Sequence, residues 1–398
     1  MSGAPPAPDA ATLLPVARLA AGAAGGALGP WELRPLQGGA DVSRAWRVGG
    51  ELLAGRRRTP FSVVLKVRRD DPQRDAEVRA YDSALLARLP RLPFGLRAPR
   101  RYAVTRPAGG GSWLWLEDLP EPPGARWSVD RYGLAAYHLG RFNGAFPAPD
   151  ARPLVAHLER TEPLPDDLRE GPGFLSYWVD FVAQQGLGDA ILGAGGEFRA
   201  AWDDPAVGRL LGQGDRERLT RVWHERAALL AALNRLPRTL AHGDAHRRNL
   251  LSRPAAGGEL TVAIDWDATG PAPLGEDAGH LVSSSQIMGA DPAQAPALDE
   301  AIFGRYLDGL RDAGWRLGAT ERDLIRFGYA LHAPLNMGLF AGGSLVAARS
   351  RPALRRWLED LFGVPLEGAL VPLATLTRFT LDLADEARAL GRTLGLLP

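Results

Sequence analysis

Three side chains in one stretch carry recognisable chemistry: Asp244, Asn249 and Asp265. The stretch runs from Leu240 to Asp267 and reads LAHGDAHRRNLLSRPAAGGELTVAIDWD. An apolar strand end leads into His242-Gly243-Asp244, four residues intervene, and Asn249 follows. A second apolar run, Leu260 to Ile264, delivers Asp265. Two carboxylates and an amide are thus expected at the mouths of two short strands joined by a turn. Their oxygens are hard ligands suited to Mg²⁺, and a carboxylate also accepts the proton of a hydroxyl. Taken singly each signal is weak, because Asp and Gly favour turns and a lone Asp at a strand end is often a cap.

A second, independent signal comes from composition. Of 47 basic side chains 46 are arginine, and the single lysine is Lys66. Arginine does not replace lysine where a compact ammonium must reach phosphate oxygens, so the place of that lysine is informative. It falls in FSVVLKV, Phe61–Val67, a β-branched run that reads as a strand. Glu77 follows eleven residues later, inside a helical pattern over Asp71–Leu89 with Val78, Tyr81, Leu85 and Leu89 at helical spacing.

The bulk numbers exclude several classes. At 398 residues the chain is long enough for two lobes with cores of their own. A net charge of +1 points to no nucleic acid or anionic membrane partner. With no cysteine there is no disulfide, thiolate metal site or cysteine nucleophile. No signal peptide pattern and no long uninterrupted apolar run are evident, so the expected location is cytoplasmic.

The elements that must position the three residues follow in order. Residues 1–28 read as a flexible Ala/Gly/Pro-rich tail with a short helix near Thr12–Ala21. Trp31–Leu36 and Val42–Val48 flank the turn Gln37–Asp41 as a hairpin. A loop over Gly49–Pro60 carries Arg56-Arg57-Arg58, read as a solvated tip, or else as a lip over a ligand. Arg101–Thr105 and Ser112–Leu116 read as further strands, and Glu117-Asp118-Leu119 then enters a Pro/Gly-rich connector. From Trp127 onward the chain is mostly helical. Ser128 is an N-cap for a helix through Phe146; Gly171–Gln185 is an aromatic-rich helix, and Asp215–Leu236 is amphipathic through Leu219, Val222, Trp223, Ala227, Leu230 and Leu233. These Trp and Leu stripes read as core.

HGD-x-x-x-x-N followed by IDWD resembles the aminoglycoside phosphotransferase and choline kinase-like family of the protein kinase-like superfamily, over about Trp31 to Leu281. The resemblance implies a bilobal α+β fold: a small N-lobe, 29–118, with an antiparallel sheet and one helix, and a larger, mainly helical C-lobe, 119–398. It implies that Asp244 is the base at the acceptor hydroxyl and that Asn249 and Asp265 bind Mg²⁺. Lys66 would contact the phosphates of ATP or GTP, with Glu77 orienting it as an ion pair. The turn QGGADVS, through Gly38, Gly39 and Ser43, would cover the nucleotide, although the glycines alone fit a plain hairpin turn equally well. Backbone groups of Glu117, Asp118 and Leu119 would meet the base. His242 would brace the loop through hydrogen bonds, and His246 would lie near substrate or phosphate. Arg247 and Arg248 stand where the family has Pro-Gly, which would add positive charge near the phosphate or leave both at the surface. Asp267 is either a second metal carboxylate or structural. Asp277 would be structural, and Asn143, where a His is usual, a helix–helix hydrogen bond.

The expected activity is transfer of a γ-phosphoryl group from ATP or GTP to a hydroxyl of a small molecule: an antibiotic, sugar, amino alcohol or natural-product intermediate. Over residues 296–398 twelve Asp and Glu balance twelve Arg, so no acidic trap for a polycation is evident. Two alternatives are a Ser/Thr phosphotransferase acting on a peptide and a nucleotide-binding scaffold without turnover.

Overall fold

The structure is a computed structural model describing residues 8–36, 43–68, 76–83, 85–89, 92, 94–107, 110–120, 126–158, 161–163, 168, 174–288 and 290–398. Two compact units emerge, one of Met1–Leu92 with Arg97–Pro123, the other of Pro93–Leu96 with Gly124–Pro398.

The first unit begins with α1 (Ala10–Ala21), capped by the Asp9 carboxylate, which accepts from Thr12 N, and closed by Gly22 in the left-handed region. Strands β1 (Ala27–Pro35), β2 (Ser43–Ala54), β3 (Arg57–Arg68), β5 (Arg101–Thr105) and β6 (Ser112–Glu117) form an antiparallel sheet in the order β1-β2-β3-β6-β5. Alternation along β3 sends Phe61, Val63 and Leu65 to one face, where they pack with Leu13, Val16 and Ala17 of α1. The short helix expected near Thr12–Ala21 is thus present as α1, but packed on the sheet rather than free in a flexible tail. Leu13, Val16 and Ala17 sit at helical spacing and are almost fully buried, so burial of that face ties the segment to the sheet.

A loop over Gly49–Pro60 is also corrected. β2 and β3 pair continuously out to Ala54 and Arg57, and only Gly55 and Arg56 turn the corner. The arginine triplet lies at this exposed tip, where Arg58 pairs with Glu51 at 3.0 Å. The helix expected over Asp71–Leu89 is seen as α2 (Ala76–Asp82) and α3 (Leu85–Arg88), and residues 71–75 lie outside the described ones. Between the two, Ser83 turns its hydroxyl back onto Ala80 O (2.9 Å), competing with the helix ladder. Val78, Tyr81, Leu85 and Leu89 are buried as one face nonetheless.

In the second unit Ser128 caps α4 (Val129–Ala145), its hydroxyl accepting from Arg131 N. Helices α5 (Phe174–Gln184), α6 (Leu187–Leu192), α7 (Gly196–Trp202), α8 (Pro205–Leu210) and α9 (Gln213–Leu233) follow. In α5 the buried positions are Leu175, Val179 and Val182, whereas Phe174, Trp178 and Phe181 are half-buried and Tyr177 is exposed. The aromatic stripe is thus not the core face that was expected. In α9 the buried side is Leu219, Val222, Trp223, Leu229, Ala232 and Leu233, with Ala227 exposed and Leu230 only half-buried.

Strand β7 (Arg238–Ala241) pairs antiparallel with β10 (Gly270–Pro273). Strands β8 (Leu250–Ala255) and β9 (Gly258–Ala263) form a hairpin, with β4 (Leu96–Arg97) beside β9. Then come α10 (Glu276–Ile287), buried on every side, α11 (Ala295–Asp312), α12 (Ala319–Ala333), a π-turn over Pro334–Gly338, α13 (Leu339–Ala347), α14 (Pro352–Phe362) and α15 (Leu366–Thr393). Among the described residues no helix is long and apolar enough to cross a membrane.

Candidate active site

In the first unit β3 carries Lys66 on the sheet face opposite Leu65, between Ala45 of β2 and Leu114 of β6. There Nζ meets Glu77 Oε2 of α2 at 2.6 Å, with both side chains buried. Arg68, on the same face of β3, approaches that carboxylate oxygen at 3.8 Å. The structure thus brings the only lysine and Glu77 together.

At the end of β6, Glu117 accepts from Arg97 (2.6 and 3.1 Å) and from Arg100 N (3.0 Å). Asp118 accepts from Arg47 (2.8 and 3.1 Å) and from Ser62 Oγ (2.5 Å). These carboxylates tie the strand ends together, and half-buried Leu119 follows them. Gly38 and Gly39 lie outside the described residues, and Ser43 opens β2.

In the second unit the HGD loop leaves β7 and is pinned from beneath by Asp277, in the first turn of α10. Asp277 Oδ2 accepts from His242 N and Oδ1 from Gly243 N, each at 2.9 Å. Asn143 of α4 donates to Asp277 Oδ2 (2.9 Å) and to Leu240 O (2.8 Å), while Tyr306 of α11 donates to Asn143 Oδ1 (2.9 Å). Asp277 and Asn143 are therefore the scaffold under the loop. Gly243 has φ +82°, and a Cβ there would lie 2.3 Å from Ala268 O, so the middle residue of HGD is held to glycine on two counts. His242 Nε2 lies 3.0 Å from Ile264 O and its ring packs on Trp266, linking the HGD loop to the end of β9.

Asn249 returns across the loop, and its Nδ2 donates to Asp244 Oδ2 at 2.8 Å and to Asp244 O at 3.1 Å. A carboxylate only accepts, so the amide nitrogen must face Asp244, which leaves Asn249 Oδ1 as the available ligand atom. Asp244 Oδ1 lies 3.0 Å from His280 Nε2 and 3.6 Å from His246 Nε2. Burial works against the charge on Asp244, but His246 and the hydrogen-bonded His280 outweigh it and hold the carboxyl well below the ordinary range. Burial in turn lowers the pKa of His246, against the pull of Asp244.

Asp265 follows β9 with φ 63°, the one non-glycine in the left-handed region among the described residues. Its carboxylate and that of Asp267 come within 4.8 Å of each other. Arg247 is buried, with its guanidinium 4.4 Å from the Trp127 ring centre and its backbone N donating to Ser285 Oγ. Of the two expectations for Arg247, the surface one is corrected, since the side chain is buried against Trp127. Arg248 is exposed and donates to Leu361 O at 3.3 Å.

Sequence reasoning missed His280 and His332. Four of the chain's seven histidines, His242, His246, His280 and His332, gather around Asp244, but the last two lie far along the chain in other helices. Their rarity, like that of Lys66, was the only sequence signal.

A sequence profile of the phosphotransferase enzyme family (APH) matches residues 32–316. No curated protein matches the chain. An aminoglycoside phosphotransferase from Alicyclobacillus acidocaldarius subsp. acidocaldarius DSM 446 is similar in structure, with TM-score 0.53 and 14% identity over 98% of each chain. The amicoumacin kinase hAmiN, solved with AMP-PNP and Ca²⁺, gives 0.47 and 13% over 84% of this chain and 89% of its own. Spectinomycin phosphotransferase APH(9)-Ia gives 0.46 and 12% over 92% of this chain and 98% of its own. With most of its length matched, the chain belongs to the phosphotransferase enzyme family and has the bilobal, protein kinase-like α+β fold.

Proposed function

We propose that the protein transfers the γ-phosphoryl group of ATP or GTP to a hydroxyl of a small molecule, with Asp244 as the base. One observation carries this reading. Asp244 has one carboxylate oxygen held by the Asn249 amide and the other beside His280 Nε2, at the end of a loop that Asp277 anchors through two backbone N–H groups. As the acceptor oxygen bonds to phosphorus, its proton passes to Asp244 and the nucleoside diphosphate leaves with the electrons of the broken P–O bond. Lys66, oriented by Glu77, would place its ammonium on the phosphates. The donors Asn249 Oδ1, Asp265 and Asp267 are all oxygen, the set Mg²⁺ prefers, and the first two would hold it with Asp267 as a further carboxylate. When bound, the ion would neutralise charge on the phosphates.

The test is release of ADP or GDP with Mg²⁺ across a panel of sugars, amino alcohols and antibiotics, with mass spectrometry of the product. Asp244→Asn is expected to lower turnover by about 10²–10⁴. Activity that survives the change sinks the assignment of the base.

A further inference from the structure

Asn249 accounts for one oxygen of Asp244, and the other meets a residue outside the HGD-x-x-x-x-N and IDWD motifs. His280, in the second turn of α10, is 2% exposed, and its Nε2 lies 3.0 Å from Asp244 Oδ1. Because an ionised carboxylate offers no hydrogen, Nε2 must carry one. Ser284 Oγ, one turn on, lies 3.1 Å from the same nitrogen and shares that proton.

The far side of the ring is equally committed. Asn336 Nδ2 lies 2.8 Å from His280 Nδ1 and 3.0 Å from His332 Nε2, and those two ring nitrogens are 3.1 Å apart. With the proton of a neutral His280 ring on Nε2, toward Asp244, Nδ1 is left to accept, and the Asn336 amide is in place to donate to it. Asn336 and His332 are fully buried, so bulk water does not compete. Burial, with His280 nearby, lowers the pKa of His332 well below the usual value, which keeps that ring a neutral acceptor. Phe174 meets the His280 ring edge-on and His246 stacks beside it, limiting its rotation. Asn336 itself is presented by the π-turn after α12, a widened turn of the kind that places side chains at functional sites.

We propose that His280 is a positioning residue for Asp244, held as its Nε2–H tautomer by the Asn336 amide, so that the carboxylate presents one fixed edge to the acceptor hydroxyl. The inference rests on the reading of Asp244 as the base. It adds a second layer that reaches from α10 into the last third of the chain and fixes the orientation of the reacting carboxylate.

The test needs no acceptor. Full-length protein labelled with ¹⁵N at histidine is examined by long-range ¹H–¹⁵N correlation, with His280 assigned by its loss in His280→Gln and His332 by its loss in His332→Gln. The expected result is a protonated Nε2 and an unprotonated Nδ1 on His280, with Asp244→Asn moving the Nε2–H signal more than any other. A proton on Nδ1, averaging between the two nitrogens, or a signal indifferent to Asp244→Asn overturns the proposal. Hydrolysis of MgATP or MgGTP, with water as acceptor, gives a second readout. His280→Ala is expected to lower kcat about tenfold or more at unchanged nucleotide KM, and His280→Gln, which retains an N–H donor, to recover part of it. Wild-type kcat in His280→Ala, or a loss that Gln does not recover, counts against positioning. Full turnover in Asp244→Asn would instead overturn the base assignment while leaving the His280 hydrogen bond standing.

Discussion

Asp265 occupies the left-handed region at φ 63°, where an L-residue is strained unless, like Asp or Asn, its short polar side chain tolerates it. Asp265→Asn keeps that tolerance and removes only charge. Its stability in urea is therefore expected to change by less than about 1 kcal/mol, while turnover with Mg²⁺ falls by about 10² or more. A parallel collapse of stability would mean that the carboxylate holds the turn rather than a cation. The meetings of Asn249 with Asp244 and of Lys66 with Glu77 were legible because they are written in local spacing or, for Lys66, in rarity. The burial of Arg247 was not legible, because the Trp127 ring it packs on lies 120 residues away in the chain. The histidines behind Asp244 were illegible for the same reason, since α10 and the turn after α12 meet only on folding.

Helices α4 and α11 approach until backbone touches backbone. A Cβ on Gly140 would come 2.3 Å from Tyr306 O, and one on Gly309 2.2 Å from Tyr137 O. Gly140→Ala must push the helices apart, and with them the Tyr306–Asn143 hydrogen bond that leads to Asp277 and the HGD loop. It is expected to cost about 1–3 kcal/mol in urea unfolding and to lower turnover as well. On the same α11, Gly304 has nothing within 4 Å of where its Cβ would be, so Gly304→Ala should stabilise by about 0.4–1 kcal/mol. Equal effects at the two sites would refute the close approach. Elements were legible where a local cap or pattern dictates them, as with Ser128 before α4. The burial of α1 was masked by its composition, and α5 was misread where aromatic residues suggested core. The break at Ser83 was invisible because a hydroxyl that turns back on its own helix leaves no periodicity.

At the scale of the folded molecule, two buried groups set opposite responses to pH. Burial, and then the charge of Asp277, push the Glu276 carboxyl up to about 8. Between about 4.5 and 8 the folded state holds this proton and the unfolded state does not, so the contribution is intact at low pH and lost as pH rises. His138 runs the other way: burial, then neighbouring arginines led by Arg131, lower it to about 4, so between 6.5 and about 4 only the unfolded state takes up the proton. Its contribution is present near neutrality and is lost as pH falls. Glu276→Gln should therefore gain stability over the parent chain progressively from pH 5 to pH 8, by several kcal/mol at the upper end. Chemical unfolding of both proteins at four or five pH values checks this, and a constant difference would contradict it. The π-turn at Pro334–Gly338 has a consequence of another kind. A π-turn spends one residue more than an α-helix needs, and that surplus is absorbed inside the turn, where it sets the direction of the side chains the turn carries. Deleting Leu335 would let α12 and α13 join without the wide turn, leaving α13 near its present phase while Asn336, which sits inside that turn, swings by several tens of degrees about the axis and off the His280 ring. The link from the last helices to Asp244 is thus written in chain count as much as in residue identity, and a one-residue deletion that leaves every histidine in place is enough to break it.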